Sequence, residues 1–133
     1  MRISKQEERW FPVPDDPDEA SVLIKHLSPG EIQDIVDDVM VQEIEYPLDD
    51  KGDRANPVVR QKNNRRKDRE KTILACVKGW KGFFDGDKEM ECTKENILRA
   101  IREIDGFSEF VAVCRTQLAA DIADERVAQK KTS

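Results

Sequence analysis

Residues 77–96 read VKGWKGFFDGDKEMECTKEN. Three of the chain's eight aromatic residues, Trp80, Phe83 and Phe84, fall within five positions of this stretch. WKGFF, DGDK and EMEC read as strand, turn and strand, because Asp-Gly is a strong short-range hairpin signal. In a two-stranded hairpin Trp80 and Phe84 share one face and Phe83 takes the other. An isolated hairpin is barely stable, so one face is expected to pack on helices and the other to be free for a partner. The stretch is thus expected to be a joint between two helices.

The flanks agree with that. Upstream, Ile73, Cys76, Val77 and Trp80 fall on one helical face with Leu74 beside it, and Gly79 suits a helix C-terminus. Downstream, Thr93 is a good N-cap with Glu95 in the first turn. Ile97, Leu98, Ile101 and Ile104 then form an apolar stripe, which Asp105-Gly106 breaks. Ser108 caps a last helix with the stripe Phe110, Val111, Cys114, Leu118 and Ile122. Beyond it, residues 127–133 lose the apolar face and are expected to fray.

Toward the N-terminus, Trp10 to Pro14 is extended by its prolines, DDPDE turns, and ASVLIKHL (20–27) reads as a strand. Ser28-Pro29-Gly30-Glu31 is a capping box with proline at N1. It opens a helix whose stripe is Ile32, Ile35, Val36, Val39 and Met40, opposite a solvated face of Asp34, Asp37 and Asp38. VQEIEY (41–46) fits either an extension of that helix or a strand. PLDDKGDRANP is a turn-rich loop and VVR a short strand. The expected fold is α+β, mainly α: an N-terminal β-hairpin, about four helices, and a small Trp-containing hairpin between helices. One compact domain covers 1–126, with the hairpin at about 9–28 and the helical part at 29–126.

The chain has 133 residues, 38% charged and 38% hydrophobic, and net charge −5. The balance is uneven. Residues 1–50 hold 14 acids and 4 bases, residues 51–81 hold 11 bases and 3 acids, and residues 82–133 hold 11 acids and 8 bases. Segments of opposite sign can attract each other or address different partners. The basic segment Lys62, Arg65, Arg66, Lys67, Arg69 and Lys71 could hold an acidic partner or a nucleic acid. No aromatic residue interleaves there to stack bases, so an exposed helix start is the favoured reading and nucleic acid is not an expected partner.

No catalytic or metal-binding pattern emerges, and no cofactor is expected. GxSxG, P-loop, GxGxxG, HExxH and EF-hand patterns are missing from the sequence. DGDKEMEC lacks the acid spacing of a calcium loop. Cys76, Cys92 and Cys114 have no CxxC spacing and read as small core hydrophobes. His26 is the sole histidine. No apolar run approaches the roughly 20 residues of a membrane span, and the first eight residues hold no signal-peptide core. A soluble, intracellular protein is expected.

The segment DREKTILACVKGWKGFFDGDKEMECTKENILRAIREIDGFSEFV (68–111) resembles the tail assembly chaperones of long-tailed bacteriophages and prophages. The shared pattern is Val-x-x-Trp-x-Gly, an acidic-glycine turn and a Thr-x-Glu-Asn helix start. RWFPVPDDPDEASVLIKHLSPGE resembles the front hairpin of such prophage proteins, so the likeness spans about residues 9–118 in outline. It implies a non-enzymatic protein of the bacterial host cytoplasm that coats the tape measure protein and helps recruit tail tube subunits. It also implies absence from the finished virion. Some families make a longer frameshifted form, for which Lys130-Lys131 would suit a slippery site. The family has no catalytic residues to carry over, and Trp80, Gly82 and Thr93 imply shared architecture. The expected partner-binding residues are Trp80, Phe83 and Phe84 on the hairpin, with Arg65, Arg66 and Arg69; self-association is left open. The alternatives are a structural subunit of a tail or head-tail connector, and a nucleic-acid-binding regulator acting through residues 60–71.

Overall fold

The computed structural model describes residues 6–53 and 56–132, without the side chains of 129–132. It is a mixed α+β protein, about 45% helix and 26% strand. The first strands, β1 (Glu8–Pro12) and β2 (Ser21–Lys25), pair antiparallel with Trp10 opposite Leu23. Val13 N–H donates to Ala20 O at 2.8 Å and continues the pairing into the turn. The central strand β2 buries every second residue, Ala20, Val22 and Ile24, as period-2 geometry requires of a strand with one covered face.

Helix α1 (Pro29–Val39) starts where the local chemistry places it. Ser28 Oγ accepts from Glu31 N–H at 3.2 Å, and the Glu31 carboxylate accepts from Ser28 N–H at 3.1 Å. The helix stops at Val39. Residues 40–45 form β3 (Met40–Glu45), antiparallel to β4 (Val58–Asn63). The stripe expected on α1 is therefore cut short, with Met40 a strand residue. Of the others only Val39 is fully buried, while Ile32 and Val36 are exposed. The β3–β4 ribbon emerges between α1 and α2 (Arg65–Cys76), whose N-cap Asn64 accepts from Lys67 N–H.

The joint at 77–92 differs from the expected hairpin. Helix α2 ends at Cys76, and the chain enters β5 (Val77–Lys81) at once. That strand pairs antiparallel with β2, Val22 opposite Trp80 and Leu23 opposite Gly79, giving a three-stranded sheet in the order β1-β2-β5. Trp80 therefore belongs to a sheet strand, and Gly79 lies inside that strand rather than at a helix end. The Asp-Gly turn does close a hairpin, but only two residues per strand long: β6 (Phe84–Asp85) and β7 (Lys88–Glu89).

Thr93 caps α3 (Lys94–Glu103), its hydroxyl accepting from Asn96 N–H. The last helix, α4 (Phe107–Thr132), runs past the end expected at residue 126; Ser133 lies outside the described residues. Its buried stripe is Phe107, Val111, Cys114, Leu118 and Ile122, so Phe107 takes the place expected for Phe110, which is half-buried. Helices α2 and α4 lie against β2, and the buried side chains of sheet and helices make one hydrophobic cluster.

Candidate functional site

The residues expected to bind a partner separate into two groups. Trp80 and Phe83 are 8% and 7% exposed, stacked with ring centroids 4.4 Å apart. Phe107 meets both edge-on, at 6.2 and 5.9 Å. The indole N–H of Trp80 donates to Met90 O at 2.9 Å, which satisfies its polar atom inside the core. This aromatic trio holds sheet, joint and last helix together, with its two joint members buried in the core. Phe84 alone among the three flagged aromatics is at the surface, 44% exposed.

The basic segment divides in the same way. Arg66 pairs with Glu70 at 3.4 Å one helical turn on. Among the described residues Arg65 and Arg69 make no ion pair; they line a groove of about 320 Å³ between α2 and α4, together with Arg115. Asp68 and Glu109 line the same groove and offset part of that charge. Other bases of 51–81 answer acids of the first fifty residues. Lys62 meets Glu43 at 3.0 Å, Arg60 meets Glu45 at 3.6 Å, and Lys71 pairs with Asp38. The opposite charges of the two segments are thus partly spent within the molecule, though exposed pairs of this kind contribute little each.

Exposed apolar residues gather elsewhere. Ile32 and Val36 on α1, Met40, Val41 and Ile44 on β3, and Val58 and Val59 on β4 are all exposed. In β3 and β4 every residue is exposed but Glu43, which is half-buried. One ribbon face carries Met40, Ile44 and Val59 with Gln42 and Gln61. The other carries the Glu43–Lys62 and Glu45–Arg60 pairs with Val41 and Val58. Both faces and both edges of the two-stranded ribbon face solvent, an arrangement that usually marks a protein-binding element. Sequence reasoning missed it because the helical spacing of Ile32, Val36 and Met40 suggests a core stripe. The available signal was the turn-rich loop at 47–57 between two short β-prone runs.

The titratable groups with shifted pKa fit structural roles. Glu31 is held at about 2, first by the hydrogen bond from Lys25, then by Ser28 N–H and by Gln6. Burial pushes the Cys76 and Cys114 thiols up to about 11, and raises Cys92 as well. A thiol so shifted is protonated near neutrality and is a poor nucleophile. Among the described residues no three His, Cys, Asp or Glu side chains come together as a metal site. No described helix is long and apolar enough to cross a membrane.

No family model, curated protein or solved structure matches this chain. The protein's own surface is what can carry a function. It presents an apolar ribbon, a cationic groove, and one exposed aromatic at the rim of a small pocket.

Proposed function

We propose that the protein is a tail assembly chaperone of a long-tailed phage or prophage, working in the bacterial host cytoplasm without catalysis. It binds the tape measure protein, keeps it soluble, and helps recruit tail tube subunits. The observation that carries this reading is the set of exposed apolar residues on α1 and the β3–β4 ribbon, on a heavily charged chain. A long helical client exposes apolar stripes that aggregate, and a helix or strand of it can lie on such a surface. Dense charge around the surface keeps the complex soluble. The resemblance of residues 68–111 to the family supplies the identity of the client.

Co-expression with the tape measure protein encoded beside it tests the reading. The client's soluble fraction should rise, and the two should co-purify. No gain in solubility together with no co-purification overturns it. Purified virions separate this role from that of a structural tail or connector subunit, because the chaperone is absent from them.

A further inference from the structure

A second feature points to the chemistry of a partner. A pocket of about 200 Å³ opens between the β1–β2 turn, the joint and the start of α4. Its volume suits one inserted side chain rather than a free organic ligand, whose sites begin at roughly 300 Å³. The walls are aromatic: Phe83 and Phe107 from the core, with Phe84 and Phe110 nearer the surface. Val13, Ala20 and Ile104, the last 40% exposed, complete the apolar part. The charged lining is acidic, from Asp16, Asp18 and Asp105. Asp16 Oδ2 accepts from Ala20 N–H at 2.9 Å, and none of the three aspartates pairs with a cation among the described residues. They are too dispersed to form a metal site.

The pocket is also held in shape. Gly82, at φ +78°, lets the joint approach the turn so closely that a Cβ there would stand 2.8 Å from Ala20 Cα and from Asp18 O. The turn itself holds Asp15 and Glu19 at positive φ. A wall fixed in this way loses little freedom when it binds.

The geometry points to this pocket as the seat of an arginine or lysine side chain from a basic segment of a partner protein. The aliphatic stem and the cation lie over the rings, and the head group meets the aspartates. Arginine suits it better, because its planar guanidinium stacks on an aromatic face and bonds a carboxylate in a fork. A neutral apolar side chain would fill the rings and leave the aspartates unanswered. This deepens the chaperone reading by naming what the partner presents at the joint, away from the ribbon.

The test uses the full chain and a fluorescein-labelled 16-residue helical peptide of Ala, Leu and Gln carrying three arginines. A second peptide carries citrulline, the neutral isostere, in their place. Anisotropy should show the citrulline peptide binding about tenfold weaker. Phe84→Ser and Asp18→Asn/Asp105→Asn should each weaken the arginine peptide by a similar factor. Asp34→Asn/Asp124→Asn, which removes as much charge elsewhere, should not. Amide shifts on titration should centre on Phe84, Gly106 and Phe110. Equal effects of the two aspartate pairs, an inert Phe84→Ser, or no binding at millimolar peptide overturns the pocket. If the free protein self-associates and Asp18→Asn/Asp105→Asn abolishes that association, the occupant is a second copy and the proposal is likewise overturned. Failure to co-purify with the tape measure protein, with peptide binding intact, removes that client and leaves the pocket.

Discussion

At Gly82 the backbone is left-handed, and the space a methyl group would need is taken by Ala20 Cα and Asp18 O. Both penalties act at once, the φ of +78° and the overlap with backbone that cannot swing away. Gly82→Ala should therefore cost about 2–4 kcal/mol, read as a fall in the urea midpoint without a change in slope. Gly86 gives the control. Its φ is +62°, but nothing lies within 4 Å of the added atom. Gly86→Ala should cost only about 1–2 kcal/mol. Equal losses at the two sites would show that the close approach of joint and turn does not matter. The cysteines allow a second residue-scale prediction. Cys76 and Cys114 are buried with thiols at about 11, whereas Cys92 is half-buried. Alkylation at pH 8 followed by peptide mass spectrometry should label Cys92 first. The other two should appear only at denaturant concentrations that unfold the protein. Labelling of Cys76 or Cys114 ahead of Cys92 would contradict that packing.

Elements differ in how far they could be read from the sequence; helix starts did best, though α4 begins at Phe107, ahead of its expected cap Ser108. Ser28 and Thr93 cap helices through bonds to residues three positions away, so all the chemistry lies within one turn. The same locality gives α1 a pH signature. Glu31 titrates near 4.5 when unfolded and is held at about 2 when folded. A depressed carboxylate contributes stability that is fully present above the unfolded value and is lost as pH falls toward the folded one. Unfolding free energy should thus decline between pH 5 and 2 by more in the wild type than in Glu31→Gln. Identical pH profiles would mean that Lys25 and Ser28 do not stabilise the ionised form. The joint was harder to read, for a physical reason. Asp85-Gly86 is a local signal, whereas Trp80 takes its place by pairing with Val22, far away in sequence. A hairpin signal reports only the turn beside it, so Trp80 and Phe83 looked like two faces of a ribbon when they stack as one buried pair. Likewise, helical spacing placed Ile32 and Val36 on one face of α1 without showing whether anything covers that face.

On the scale of the whole molecule, the core and the proposed docking surface draw on different residues. The core is the sheet β1-β2-β5 under α2 and α4, with Val22, Ile24, Val111 and Leu118 at its centre. The ribbon contributes none of its twelve residues to that cluster. Residues whose contacts are made only with solvent can change with little effect on folding, usually within about 0.5 kcal/mol. Ile44 and Val59 stand directly opposite each other on β3 and β4, 56% and 58% exposed, at the loop end of the uncharged ribbon face. The double variant Ile44→Glu/Val59→Lys keeps an opposite-charge cross-strand pair in place of the apolar one, so the ribbon's own pairing should survive. Its urea midpoint should stay near that of the wild type, while its ability to keep the tape measure protein soluble should fall sharply. Leu118→Ala supplies the converse. It empties a fully buried site and should cost about 2–5 kcal/mol, yet it leaves the ribbon surface intact. Below the unfolding transition that variant should still solubilise the client. A double variant as competent as the wild type would place docking on another surface, and a double variant that unfolds would show that the ribbon belongs to the folding unit after all.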